Sequence, residues 1–196
     1  MRVAFFSGLF VLVLSLGLFA TPERHESVLP DFHLTAVTVD ETKVVERKDF
    51  EGKVWIANFI FTRCNGPCPF SSGKMGILQK KLPAGIILAS FTVDPEYDQD
   101  QALREYAKRF HAEPKRWMFL TAPDEKTLIP LFKDAFHTAY RPNPSSSCGY
   151  ETWHSTKFFL IDRHGAIRGE YASTDTKAMW RLEADARLLF KKGEIQ

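Results

Sequence analysis

The chain has 196 residues, 44% of them hydrophobic and 26% charged, enough for one well-buried domain and too few for two. Lys and Arg total 26 against 24 Asp and Glu, a formal net charge of +2 with both signs interspersed, which excludes the clustered basic footprint of a nucleic-acid-binding surface. Lys80 with Lys81, and Lys191 with Lys192, read instead as helix C-termini, where cations suit the helix dipole.

Met1 and Arg2 precede 18 uncharged residues, VAFFSGLFVLVLSLGLFA, before TPERHE restores polarity. Residues 1–20 read as an export segment, either a signal peptide or a membrane anchor. Ala20 fits the last position before a cleavage site, whereas Leu18 does not fit an A-x-A pattern. The run is also about as long as a minimal membrane span, diluted by Ser7, Gly8, Ser15 and Gly17. In both cases the positive start stays in the cytoplasm and the rest of the chain is carried outward. The expected location is therefore extracytoplasmic, on the periplasmic side, either membrane-anchored or exported as a soluble protein. Residues 21–29 read as a linker and 30–196 as the folded domain.

Within that domain, residues 30–61 open with two alternating stretches separated by a polar turn at Asp40–Lys43. A Gly52 turn follows, and then the apolar run Val54–Phe61, which predicts a central strand buried on both faces. Cys64 and Cys68 come next, in RCNGPCPF. Pro69 suits the first turn of a helix, so Cys68 is expected to open that helix and Cys64 to lie in the loop before it. Phe70, Met75, Ile77, Leu78 and Leu82 follow helical spacing, and Pro83 with Gly85 stops the helix.

A second buried strand, GIILASFTVD, leads to an amphipathic helix, DQDQALREYAKRFH, with Leu103, Tyr106, Ala107 and Phe110 inward. RWMFL is a third strand, and a helix over Thr127–Phe136 is interrupted at Pro130. The Pro/Ser-rich loop RPNPSSSCGYETW precedes a hairpin, STKFFLIDRHGAIRGEY, turned at Asp-Arg-His-Gly. Thr174 or Asp175 then caps a last helix with Ala178, Leu182, Leu188 and Leu189 inward. Strands alternating with helices, framed by two hairpins, predict an α/β thioredoxin-like fold with a central mixed sheet flanked by helices, preceded by the N-terminal hydrophobic export or anchor segment.

Three cysteines in an exported chain leave at least one thiol without a place in a purely structural disulfide framework. A thioredoxin-type oxidoreductase would carry C-x-x-C at the helix start, but the spacing here is C-x-x-x-C. The extra residue, in a loop containing Gly66 and Pro67, lets both sulfurs face one point, and that geometry can close a disulfide or hold a metal. Among the histidines, His25, His33, His111, His137 and His164 read as surface or capping residues. His154 differs, because it stands just before the strand STKFFLID, at the sheet end where the cysteine loop also lies. Two cysteines and a histidine form a soft, three-coordinate set suited to Cu(I), or with a weak further ligand to Cu(II). Pure thiol redox chemistry at Cys64 and Cys68 remains an equal alternative at this point.

NFIFTRCNGPCPFSSGKM, ASFTVDPEYDQDQALREYAKRF with WMFLTA, and WHSTKFFLIDRHGAIRGEY together resemble the signature blocks of the Sco/SenC family of copper-binding cytochrome c oxidase assembly proteins. The resemblance runs from about Pro30 to the C-terminal helix. It implies a thioredoxin-like fold and a copper site on Cys64, Cys68 and His154. It also implies a metallochaperone role in assembling the dinuclear copper site of cytochrome c oxidase, by delivering copper, by reducing the recipient's cysteines, or both. The implied partners are the oxidase's copper-site subunit or another copper protein, and a copper donor chaperone, with the membrane reached through residues 1–20 if they are not cleaved. The alternative is an exported thiol-disulfide oxidoreductase that uses Cys64 and Cys68 as a catalytic redox pair without metal. The motif interior NGP departs from the family's commoner pattern of Pro directly after the first cysteine, and Trp153 stands where many relatives have Asp. Cys148 reads as a thiol outside the site, with a resolving thiol or added ligand as the alternative. Asp94, in TVDP, is expected to cap the turn that follows it. A thiol peroxidase would favour T-x-x-C, and Thr62 stands two residues before Cys64, not three.

Overall fold

The alternating and apolar stretches become a seven-stranded mixed sheet in the computed structural model, which describes residues 28–137 and 156–193. The export segment, most of the linker, and the Pro/Ser-rich loop with Cys148 and His154 lie outside the described residues. Strands β1 (His33–Val37) and β2 (Thr42–Glu46) form the first hairpin, paired from His33 with Glu46 to Val37 with Thr42. A 3-10 turn at Arg47–Phe50 leads to β3 (Trp55–Ile60), in which all six residues are buried. Helix α1 (Pro67–Lys81), β4 (Ile87–Thr92), α2 (Asp100–Arg109) and β5 (Trp117–Thr121) complete two parallel crossovers. The sheet order is β2-β1-β5-β4-β3, continued by β6 (Lys157–Ile161) and β7 (Ile167–Ala172). β3 runs parallel to β4, and β4 to β5, while the other pairings are antiparallel. Helix α4 (Thr176–Lys192) closes the chain.

β3 is buried on both faces because each face has its own cover. Alternation sends Ile56, Asn58 and Ile60 to one side, in register with Leu88, Ser90 and Thr92 of β4. That side meets the helices: Tyr106 of α2 packs edge-on to Phe119 of β5, and Trp117 approaches Gly76 of α1. Trp55 and Phe59 face the other way and join an aromatic layer with Phe50, Phe91, Phe132, Phe136 and Phe159. Phe59 meets Phe132 and Phe136 edge-to-face at 5.0 and 5.1 Å between ring centres, a geometry favoured by the ring quadrupoles.

Two of those rings depend on an irregularity at Pro130. Helix α3 (Glu125–Pro130), capped by Asp124 accepting the Thr127 N–H at 3.0 Å, starts two residues before the expected Thr127. Pro130 has no N–H to continue the ladder, and the chain widens into a π turn at Leu131–Ala135, where the Phe136 N–H reaches back five residues to the Leu131 carbonyl. The turn buries Leu131, Phe132 and Ala135.

Helix α1 does not bury all the apolar residues that follow its helical spacing. Phe70 and Ile77 are exposed at 49% and 48%, while Ser71, Ser72 and Gln79 are buried beside Met75 and Leu78. On α4, Leu188 is exposed, and Met179 and Ala186 take the inner positions beside Ala178 and Leu182; the cap is Asp175, accepting the Lys177 N–H. The β6–β7 turn is built on Asp162, whose Oδ1 accepts the N–H groups of His164 and Ala166, and on Gly165 at φ +80°, a conformation that favours glycine.

Candidate functional site

β3 delivers Thr62, Arg63 and Cys64 to the carboxyl end of the parallel strands, where ligands gather in open α/β sheets. Pro67 is the first residue of α1 and Cys68 the second, so Cys68 opens the helix and Cys64 lies in the preceding loop, as the spacing predicts. Pro67 loses nothing at this position, since the first-turn N–H groups have no intrahelical partner. The Cys68 N–H donates to Cys64 Sγ at 3.4 Å, and the Ser71 hydroxyl to the Cys68 carbonyl at 3.1 Å. Both cysteines are buried, and no disulfide joins them.

One proton divides unequally between the two sulfurs. The Cys68 S–H donates to Cys64, and the backbone N–H groups of Cys68 and Gly66 add to this, against the cost of burial; together they bring the Cys64 thiol down to about 6. The bond to Cys64, burial, and the neighbouring negative charge push the Cys68 thiol well above the ordinary range. At neutral pH Cys64 is thus a thiolate held by a Cys68 thiol, a nucleophile with a reserve proton beside it. Such a pair can attack or close a disulfide, and on losing the second proton it can offer two thiolates to a soft metal.

The loop that presents the pair rests on Asp98, which is fully buried. Its carboxylate accepts the Thr62 N–H at 3.0 Å, the Thr62 hydroxyl, and the Thr92 hydroxyl at 2.5 Å, so one side chain ties the ends of β3 and β4 together. Burial pushes this carboxyl up, and the donors from Thr62 and Thr92 oppose the rise. Beside it, Arg63 Nη2 lies 2.6 Å from Asp94, and its guanidinium sits 4.2 Å above the centre of the Tyr97 ring. Below the cysteines the buried hydroxyls of Ser72 and Tyr106 are hydrogen-bonded at 2.9 Å, and burial raises the Tyr106 phenol.

Cys64 and Cys68 come together as expected. His154 lies outside the described residues, as does Cys148. Among the described residues no third His, Cys, Asp or Glu joins the pair in a metal-ligating group. His33 is on β1, His111 and His137 follow helical turns with positive φ, and His164 is in the turn at the opposite end of the sheet. The Asp94 side chain holds Arg63 instead of capping its turn; that turn is closed by the Asp94 carbonyl, which accepts from Tyr97 and Asp98. Sequence reasoning passed over Asp98. Its signal was two neighbouring apolar strands that both end in threonine, with a carboxylate six residues after the second.

Comparison with known proteins adds relatives to this geometry. The family model described as SCO1/SenC matches residues 20–184. The SCO1 protein homolog of Bacillus subtilis is 30% identical over 132 residues, covering 66% of this chain and 67% of that protein. A SCO1/SenC family lipoprotein from Bacillus anthracis superposes with a TM-score of 0.74 at 29% identity, over 85% of this chain and 96% of the other. BsSco, described as a member of the Sco family of cytochrome c oxidase assembly proteins with a disulfide switch, gives 0.70 at 25% identity, over 85% and 95%. Copper-bound ScoI of Bradyrhizobium japonicum shares the fold, with a TM-score of 0.68 at 20% identity, over 83% and 99%. A thioredoxin-like sheet with C-x-x-x-C at the mouth of its first crossover helix, matched by one family model over most of its length, places this chain in the SCO1/SenC family.

Proposed function

We propose that this protein is a copper-handling assembly factor of the extracytoplasmic space. In this reading it takes Cu(I) on Cys64, Cys68 and His154 and passes it to a copper protein, of which the copper-site subunit of cytochrome c oxidase is the leading candidate. The observation that carries the proposal is the buried thiolate–thiol pair at the start of α1, which needs to release only one further proton to present two soft ligands. The family's copper-bound and oxidase-assembly relatives support it. The sheet register supports His154 as the third ligand, because β6 begins at Lys157, antiparallel to β3 and at the end where β3 delivers the cysteines. His154 stands three residues before Lys157, a separation of at most about 10 Å along the chain. With copper as cargo, the chain's own residues do the work. Asp98 holds the loop through Thr62 and Thr92, and Cys64 stays ionised for ligand exchange with an incoming thiolate.

A second reading, thiol-disulfide reduction of a partner, is favoured by the lowered Cys64 thiol, which is suited to attack on a disulfide with Cys68 as the resolving thiol. Residues 1–20 would anchor or export the chain, residues 21–29 would link it, and the domain would begin at about residue 30.

Anaerobic titration of the reduced protein with Cu(I) against a competing chelator tests the proposal, with wild type and His154→Ala side by side. Tight one-to-one binding that weakens markedly in the variant is the expected outcome. Weak binding, or binding indifferent to His154, removes the copper role and leaves the reductase reading.

A further inference from the structure

The last helix carries a face that nothing in the described molecule covers. Trp180 is 64% exposed and Leu188 53% exposed, and with Ala184 they form an i, i+4, i+8 stripe along the outside of α4. Lys177, Arg181, Lys191 and Lys192 are all exposed on the same outward side. Of the carboxylates at the margins of this face, Asp185 accepts the Tyr171 hydroxyl at 2.7 Å and Glu183 pairs with Lys81 and Arg187. Between α4 and the edge strand β7 lies a cleft of about 420 Å³ with Arg168 and Arg181 on its walls, alongside Glu170 and Asp185. A second cleft of about 210 Å³ is bounded by Arg168, Leu188 and Lys192.

The entry point of the chain fixes where this face sits relative to the N-terminal apolar run. Val28 bridges Ala166, and the Leu29 N–H bonds the Gly165 carbonyl, so the chain joins the domain on the β6–β7 turn. Arg163 in that same turn donates to the Leu189 and Phe190 carbonyls, tying it to the C-terminal end of α4. Val28 stands eight positions after Ala20, the last of the 18 uncharged residues, and a chain of that length spans at most about 28 Å. If that run stays in a bilayer, α4 is held within reach of the headgroups.

We propose that the outward face of α4 docks on an anionic lipid surface, with Trp180 and Leu188 entering the headgroup boundary and the four cations taking lipid phosphates. The inference rests on the reading of residues 1–20 as a retained anchor. The chemistry of the face favours lipid over a protein. Two separated apolar side chains among cations fall far short of the roughly 800 Å² per partner of a stable protein interface. Tryptophan with Lys and Arg is the composition of an interfacial helix. Tethering makes docking an intramolecular event, so a weak surface suffices. α4 would lie on the membrane, since no helix among the described residues is long and apolar enough to cross one.

The test uses the full chain reconstituted into vesicles of phosphatidylcholine alone or mixed with phosphatidylglycerol. Its readout is quenching of tryptophan emission by brominated lipid, in wild type and Trp180→Phe. Trp55 and Trp117 are buried, and with Trp153, outside the described residues, they form the background common to both proteins, so the difference between the two isolates Trp180. The expected result is a Trp180-dependent quenching that needs phosphatidylglycerol and fades with salt. In Lys177→Gln/Arg181→Gln the ratio of docked to undocked protein should drop about fivefold per cation lost. Equal quenching in wild type and Trp180→Phe overturns the proposal. So does a Trp180 emission that is already blue-shifted in detergent and varies with protein concentration, which would assign the face to a second copy of the chain. Failure of the full chain to float with vesicles removes the anchor and the docking together. Cu(I) titration of the same variants reads the copper proposal separately, and these substitutions leave it unchanged.

Discussion

The asymmetry between Cys64 and Cys68 makes a direct prediction at the residue scale. The first cause of the lowered Cys64 thiol is the Cys68 S–H, so the rate of iodoacetamide alkylation at Cys64 should rise with pH to a midpoint at about 6. In Cys68→Ala the midpoint moves up toward the ordinary thiol range near 8.5. An unmoved midpoint would mean that the backbone N–H groups of Gly66 and residue 68 hold the thiolate alone. The same shift links to stability. Cys64 in the fold lies below its unfolded value, so its ionisation contributes stability that is fully present above the ordinary thiol range and is lost as pH falls through about 6. Cys68, shifted upward, works in the opposite sense as pH rises beyond the ordinary range. Reduced wild type should therefore lose more of its urea midpoint than Cys64→Ala when acidified through about pH 6. Asp98 carries a second prediction at this scale. In Asp98→Ala the Thr62 N–H and the Thr62 and Thr92 hydroxyls lose their acceptor in a buried setting, at a cost of about 1–3 kcal/mol measured by denaturant unfolding.

Among the elements, α1 shows where a one-dimensional reading stops. Helical spacing runs through Phe70 and Ile77, yet the helix leaves both exposed and buries Ser71, Ser72 and Gln79, because each finds a partner. Ser72 meets Tyr106, 34 residues away, and Gln79 bonds the His111 carbonyl and the Glu113 N–H. A polar side chain enters a core when its hydrogen bonds are met there, and these partners lie too far along the chain for periodicity to register. The strands were more legible. Val54–Phe61 and GIILASFTVD became β3 and β4 because continuous apolar runs bounded by turns have few other solutions. Two arginines serve the far end of α1, Arg187 at the Lys81 carbonyl and Arg116 more widely. Buried Arg116 donates to the carbonyls of Gln79, Leu82, Pro83 and Ile86, serving the open last turn of the helix and the turn that follows it. Arg116→Met should cost roughly 3 kcal/mol, since it leaves several buried acceptors unmet, and chemical denaturation would register it as a lower midpoint at unchanged slope.

At the scale of the whole molecule, the cysteine loop and the chain's entry point lie at opposite ends of the sheet. β3 carries Cys64 to its carboxyl end, while the β6–β7 turn that receives Leu29 sits beyond Ile161, the partner of Trp55 at the start of β3. Under the anchoring proposed above, the chain enters at one end and the thiols stand at the other, as the proposed transfer to a partner requires. The sequence carried this layout through the placement of C-x-x-x-C after a central strand. It could not carry Asp98's grip on Thr62 and Thr92, which exists only once β3 and β4 lie side by side.

Cargo bound between a loop and a helix start should also stabilise the domain it joins. A ligand that binds only the folded state at 100 times its dissociation constant adds about 2.7 kcal/mol. For a domain of this size that is a rise in Tm of roughly 5–10 °C. Thermal unfolding of the reduced protein with buffered Cu(I) should show that rise in wild type, and none in Cys64→Ser/Cys68→Ser. An equal rise in both proteins would place the metal elsewhere on the chain. No rise in wild type, with the thiols shown to be reduced, would leave the pair to redox chemistry alone.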